Sequence, residues 1–227
     1  MKVAALLSGG KDSLHAASIL ENWGWTVEEL ITLEPSEPDA WMFHTPNLRW
    51  VPLLAQAWKK RLRRVPVEGT GEEAELEALE IALEPLKKAG LKGVCAGAVG
   101  SSYQWARLHR VAHDLGLSVF APLWRVDPAR VVEEEISSGL DIRIAHVATE
   151  ALGPELLGQR LDEQVLGTLR ERSRSIREFN LAGEGGEYET FVIGAPFFRG
   201  RISVLSSHVE TRGSASTWVI DGARWTR

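Results

Sequence analysis

Apolar positions in the first half of the chain follow two alternating rhythms. Short runs at Val3–Leu7, Val27–Leu33, Arg64–Val67, Gly93–Ala98 and Ser118–Ala121 have the length and residue types of buried strands. Between them, apolar residues recur three and four positions apart: Ala16, Ile19, Leu20 and Trp23, then Leu79, Ala82, Leu83 and Leu86, then Leu108, Val111, Ala112 and Leu115. That spacing puts each set on one face of a helix. Strands alternating with helices predict an open α/β fold, a parallel sheet covered by helices, whose ligand belongs at the carboxyl ends of the strands near a switch in strand order.

The rhythm breaks twice. Pro35, Pro38, Pro46 and Pro52 punctuate an irregular stretch holding Trp41-Met42-Phe43-His44, a long connection of the kind that serves function, in which Trp41 and Phe43 can equally serve to bind or to anchor the loop to the core. Trp50 and Trp58 then fall on a following helix and are expected in the core. The basic run Lys59-Lys60-Arg61, Arg63, Arg64 reads as the solvated last turn of that helix, where positive charge suits the dipole. The second break lies between Pro122 and Pro128 and predicts domains at 1–125 and 126–227. Beyond it come a helix over 128–137, the apolar Ile142–Val147, and a helix marked by Leu161, Val165 and Leu169. Charged residues 170–177 face solvent. The chain ends in short strand-like runs, Phe191-Val192-Ile193, Ile202–Leu205 and Thr217–Ile220, separated by glycine-containing turns, so the second domain is expected to be a smaller α+β unit.

Composition narrows the picture. A net charge of −5 over 227 residues argues against a surface that coats nucleic acid. The single Cys95 sits in an apolar run, so neither an intrachain disulfide nor a cysteine-based zinc site within one chain is possible, and the thiol is expected to be buried. Ser8–Ser13 interrupts the first apolar stretch after five residues, and no later run reaches bilayer length. The expectation is a cytoplasmic protein with no membrane partner.

The chemistry concentrates in three segments. Leu7-Ser8-Gly9-Gly10-Lys11-Asp12-Ser13 joins the first strand to the first helix through two glycines. Their backbone N–H groups can approach an anion, Lys11 adds a mobile positive charge, and Asp12 or Ser13 can cap a helix whose N-terminus favours negative charge. A Walker A loop is excluded, since Ala5 and Asp12 stand where that motif needs glycine and Ser or Thr; a dinucleotide fingerprint cannot be placed either. Gly183-Glu184-Gly185-Gly186-Glu187-Tyr188-Glu189-Thr190 gathers three carboxylates, a phenol and a hydroxyl beside three glycines. In a strand its two later glutamates share one face, and Tyr188 and Thr190 the other. Acids there suit Mg²⁺ or a cationic group, an aromatic face suits a quaternary ammonium, and an exposed acidic hairpin is the structural alternative. Gly97 through Arg107 follows an inner strand and opens a helix, so it should border the same cleft as Ser8–Ser13; Ser101 can cap that helix, and Arg107 can face either ligand or solvent.

Together these segments resemble the diphthine–ammonia ligase family, a branch of the ATP-pyrophosphatase (PP-loop) superfamily. Ser8 through Ser13 match the superfamily loop. Met42-Phe43-His44-Thr45, Gly97 through Arg107, Pro122-Leu123-Trp124 and above all Gly183 through Phe191 match the family. The resemblance covers nearly the whole chain. It implies a Rossmann-like ATP domain with helices on both faces of a parallel sheet, followed by a family-specific C-terminal domain. The implied reaction is amidation of diphthine on elongation factor two: a carboxylate attacks the α-phosphorus of ATP, pyrophosphate leaves, and ammonia displaces AMP.

On the same resemblance ATP and Mg²⁺ are the cofactors and free ammonium the nitrogen source. Ser8, Gly9, Gly10, Lys11, Asp12, Ser13 and Gly97 are expected to bind ATP, with Lys11 and Asp12 catalytic. Ser101, Tyr103, Gln104, Arg107, Glu184, Glu187, Tyr188, Glu189 and Thr190 are expected to bind substrate, and Asp12 and Glu187 are candidate metal ligands. The chain departs from its relatives at Ser102, where they usually carry Asp. Two rival functions remain: another PP-loop adenylating enzyme, such as one acting on tRNA, and a non-catalytic adenine-nucleotide sensor. His44, His109 and His113 are candidates for deprotonating ammonium, though lone histidines are more often structural.

Overall fold

The computed structural model describes residues 1–35, 47–69, 71–149, 152–174, 176 and 179–227, and only the backbone of Gln104. These form two compact units. The first comprises the described residues of 1–8, 12–44 and 60–124, and the second those of 9–11, 45–59 and 125–227.

The first unit is built on five parallel strands, β1 (Lys2–Leu6), β2 (Thr26–Pro35), β3 (Arg61–Val67), β4 (Gly93–Cys95) and β5 (Ser118–Phe120), in the order β3-β2-β1-β4-β5. Helices α1 (Lys11–Asn22), α3 (Glu72–Lys88) and α4 (Ser102–Asp114) make the crossovers. Strand alternation divides the work: Ala4, Leu6, Ile31, Leu33 and Val94 pack with Leu79, Leu83 and Leu86 of α3 and Leu108 and Ala112 of α4. Val3, Ala5, Leu30 and Cys95 face the other way and are equally buried, as are Leu14, Ala17 and Leu20 of α1. Each Val, Leu or Ile among them withdrawn from water contributes about 1.5–3 kcal/mol. The expected Rossmann-like sheet, with helices on both faces, is what the chain forms. From β1 the order runs to β2 and β3 on one side and to β4 and β5 on the other, so the switch point lies between β1 and β4.

Two expectations fail in this half of the chain. Trp23 was expected on the buried stripe of α1, but the helix ends at Asn22 and Trp23 is 60% exposed, edge-on to Trp25. The basic run is not a helix terminus. Helix α2 (Val51–Trp58) stops at Trp58, Lys59 takes a left-handed conformation with φ 57°, and Arg61 begins β3. A positively charged strand is stable there because its neighbours carry acid: Arg63 pairs with Glu29 at 3.1 Å, Arg64 with Glu34, and Lys60 with Glu21. Charge along an edge strand also discourages pairing with other chains.

In the second unit an antiparallel sheet has the order β7-β6-β9-β8, from β6 (Asp141–Val147), β7 (Tyr188–Gly194), β8 (Arg201–Arg212) and β9 (Ala215–Thr226). Helix α5 (Pro128–Ser137) is capped by Asp127, whose carboxylate accepts from the Arg130 amide at 3.1 Å; α6 (Glu163–Ser173) is capped by Asp162, which accepts from Gln164 and Val165 at 3.0 Å each. Such caps are worth about 1 kcal/mol apiece. The final hairpin is much longer than its apolar runs suggest. Ser206, Ser207 and His208 interrupt the apolar pattern, yet backbone pairing continues through them with register shifts either side of Ser206. Among the described residues no helix is long and apolar enough to cross a membrane.

Candidate functional site

At the switch point the chain leaves the first sheet under tight control. The Leu7 amide donates to the Ile31 carbonyl at 2.8 Å, and the Thr32 hydroxyl donates to the Leu7 carbonyl at 2.7 Å, which completes the pairing of β1. One residue on, Ser8 and Ser13 close a clasp: their hydroxyls lie 3.3 Å apart, and the Ser8 amide donates to Ser13 Oγ at 3.4 Å. Gly97, after β4, packs flat on the start of α1. A Cβ there would lie 2.5 Å from the Asp12 carbonyl carbon and 2.6 Å from the Ser13 nitrogen. Ser8, Asp12, Ser13 and Gly97 are thus gathered where two strand ends meet a helix N-terminus, a place that favours an anionic ligand.

In the second unit, Gly9–Lys11 lies against β7 and α5. Gly9 has φ +91°, and a Cβ would meet the Phe191 ring at 2.8 Å, so both conformation and space require glycine. Its carbonyl accepts from the Val192 amide at 2.9 Å, and the Lys11 amide donates to Thr190 Oγ1 at 3.1 Å. The Lys11 side chain is 1% exposed, and its Nζ lies 3.3 Å from Oε2 of Glu135, itself fully buried. Lys11 is therefore a buried, paired ammonium and not a mobile surface charge. Sequence reasoning missed Glu135. Its signal was an acid falling four residues after Val131 and three after Val132, on the apolar face of α5, where all three are buried.

The glycine-rich acidic segment forms a turn braced by its own side chains. Oε1 of Glu187 accepts from the Asn180 amide at 2.7 Å, and the Tyr188 hydroxyl donates to the Leu181 carbonyl at 2.7 Å. Gly183 has φ +80°, and a Cβ there would lie 2.6 Å from the Tyr188 carbonyl oxygen. Glu187 and Tyr188 are buried, while Glu184 and Glu189 are partly exposed. Glu187 precedes β7, so the expected pairing of two glutamates on one strand face does not arise within that strand. Thr190 of this segment reaches the glycine loop through its bond to the Lys11 amide.

On α4 the Ser101 carbonyl accepts from the Trp105 amide at 3.0 Å and starts the helix. The Arg107 guanidinium lies 3.0 Å from the centroid of the Tyr103 ring and pairs with Glu72, and the Tyr103 hydroxyl reaches the same carboxylate at 3.4 Å. Loss of water around the phenol raises the Tyr103 pKa, with Arg107 opposing and Glu72 and Glu75 adding to the shift. Trp105 stacks on Trp124 at 4.5 Å and 11°, and the His109 ring packs on Trp105 with centroids 4.0 Å apart. Met42 to Thr45, including His44, lie outside the described residues, as does the Gln104 side chain. His113 is exposed beside Asp114. Among the described residues no three His, Cys, Asp or Glu side chains are grouped to hold a metal ion.

Comparison with known proteins agrees in both halves of the chain. Residues 1–119 match the family model for the diphthamide synthase N-terminal domain, and residues 127–224 the model for its C-terminal domain. The chain is similar to the diphthine–ammonia ligase of Bos taurus, at 35% identity over 94% of this chain and 86% of that protein. It is similar to the Homo sapiens protein of the same name at 34% identity, over 92% and 85%. The Schizosaccharomyces pombe namesake is 31% identical over 94% of this chain and 38% of its own greater length. A solved structure described as a predicted subunit of tRNA methyltransferase from Methanocaldococcus jannaschii aligns over 86% of this chain and 98% of its own, with a TM-score of 0.43 and 15% identity, too loose a likeness to bear on function.

Proposed function

This chain belongs to the diphthamide synthase family, and we propose that it is an ATP-using ligase that forms a carbon–nitrogen bond between ammonia and diphthine. The observation that carries this reading is the glycine loop at the switch point, read together with family matches in both halves of the chain. We further infer that the acceptor is diphthine on elongation factor two and that the reaction passes through an acyl-adenylate. A diphthine carboxylate oxygen attacks the α-phosphorus of ATP, and the bond to the bridging oxygen breaks to release pyrophosphate. Ammonia then attacks the acyl carbon, the carbon–oxygen bond to AMP breaks, and nitrogen gives up its proton to a base.

The chain's own contribution to that chemistry is electrostatic. Amides of the Gly9–Ser13 loop, other than that of Lys11 which donates to Thr190, would together with the Lys11 ammonium stabilise charge gathering on the departing pyrophosphate, and one such donor is typically worth about 2.7–4 kcal/mol of barrier. Gly97 lets the β4 loop lie close against the start of α1, which sets the shape of the cradle. Mg²⁺ would neutralise phosphate charge. Asp12 is the carboxylate proposed to share it, beside phosphate oxygens of the nucleotide that would supply further ligands. Glu187 is a weaker candidate, because its Oε1 already braces the turn at Asn180. Ser101, Gln104, Arg107, Glu184 and Glu189 are proposed to border the acceptor.

The test combines the protein with ATP, Mg²⁺, ammonium and elongation factor carrying diphthine, and measures AMP, pyrophosphate and amide. One AMP and one pyrophosphate per amide supports the reading. ADP as product, AMP formation that depends on tRNA instead, or tight ATP binding without turnover would each overturn it.

A further inference from the structure

The buried pair of Lys11 and Glu135 is an expensive arrangement for a loop whose lysine is to serve a phosphate. A buried ammonium needs a counter-charge, and a buried carboxylate beside an anion site opposes the anion. Glu135 must therefore offer the site something that offsets the opposition. Its position says what. The carboxylate stands on α5, fixed by the burial of Val131 and Val132 on the same face, and meets Nζ at 3.3 Å. At the other end of the same residue, Thr190 Oγ1 accepts from the Lys11 amide at 3.1 Å. Lys11 is gripped at backbone and side-chain tip, by two elements that are both remote in sequence.

We propose that Glu135 is a positioning residue for Lys11, which holds the ammonium charged and in place before nucleotide arrives and so preorganises the loop for the leaving pyrophosphate. This rests on the reading that Lys11 serves the phosphates of ATP. A lysine carries four rotatable carbons, and aligning them during the reaction would waste binding energy. Glu135 does that alignment at folding. Its effect therefore belongs to the chemical step more than to substrate binding.

The test compares Glu135→Gln, Glu135→Asp, Lys11→Met and the double variant Lys11→Met with Glu135→Gln, in the full chain with ATP, Mg²⁺, ammonium and diphthine-bearing elongation factor. Each variant's thermal midpoint is recorded beside kcat and KM for ATP. Glu135→Gln is expected to lower kcat at least tenfold with KM for ATP changed less than threefold, and Glu135→Asp to recover part of that loss. In the Lys11→Met background, Glu135→Gln should change kcat less than twofold, because the residue acts only through the lysine. Wild-type kcat in a folded Glu135→Gln, or an equal loss with and without Lys11, overturns the proposal. Should Glu135→Gln fail to fold, Glu135→Asp decides: kcat reduced at an unchanged KM supports positioning, and wild-type kcat refutes it. Full activity in Lys11→Met would instead sink the underlying assignment of the lysine to the phosphates.

Discussion

Replacing Gly97 by alanine puts a methyl group in place of a hydrogen at the point where the β4 loop rests on α1. The new carbon would stand 2.5 Å from the Asp12 carbonyl carbon, 2.6 Å from the Ser13 nitrogen and 2.7 Å from the Asp12 oxygen. All three atoms are backbone, so no side chain can swing aside. Ordinary contact begins near 3.4 Å, so the loop and the helix N-terminus must part by about 1 Å. Overpacking of this kind costs about 1–3 kcal/mol, which for a chain of this size lowers the melting midpoint by about 2–4 °C per kcal/mol. The functional loss should be larger, since a displacement near 1 Å in a positioning element can cost about a hundredfold in rate. Gly93→Ala is the control: its Cβ would meet the Ser118 carbonyl oxygen at 2.2 Å, a comparable insult within the sheet and away from the loop. Calorimetric ATP titration, AMP release and thermal melting on both variants make the comparison. The reasoning is refuted if Gly97→Ala keeps wild-type kcat/KM, or if Gly93→Ala loses as much activity per folded molecule.

Three further outcomes follow from the same geometry. Burial pushes the Cys95 thiol up to about 12, so at pH 8 only about one molecule in ten thousand carries thiolate; the folded protein should resist alkylation for hours and react within minutes in denaturant, and stoichiometric labelling of the native form would contradict this. The hydrogen bond that His208 donates to Asp221, seconded by the one to Glu210, raises the His208 pKa, so these contacts stabilise the folded chain below the ordinary histidine pKa and the gain fades as pH rises through the raised value. His208→Gln should thus lower the melting midpoint at pH 5.5 and leave it unchanged at pH 9, the opposite ordering being disproof. Tyr188→Phe removes the donor to the Leu181 carbonyl, with an expected cost of about 1–3 kcal/mol in urea unfolding, and no change in the unfolding midpoint would show that the turn does not depend on that bond.

Local pattern was enough to determine a great deal. Strand and helix periods are properties of neighbouring residues, so the parallel sheet, the stripes of α3 and α4, and the glycine loop after β1 were legible from spacing alone. Placement of Gly97 beside Asp12 followed too, because strands of an α/β sheet deliver their carboxyl ends to one edge. The errors arose where neighbours on the sheet outvoted neighbours in the chain. Arg61–Arg64 became a strand because Glu29 and Glu34 stand alongside, and β8 ran on through Ser206–His208 because backbone pairing with β9 asks nothing of side-chain polarity.

What only the tertiary structure decided is the setting of the lysine. Lys11 announces itself in sequence, but Thr190 and Glu135 reach it from β7 and α5, and no local period encodes a meeting between residues so far apart. Glu187 and Tyr188, read from their acid and phenol as ligand residues, also brace a turn through Asn180 and Leu181, partners that residue type alone did not name. Residue type fixes which chemistry is available. Folding chooses the partner, because burial removes the water that would otherwise serve every polar group equally.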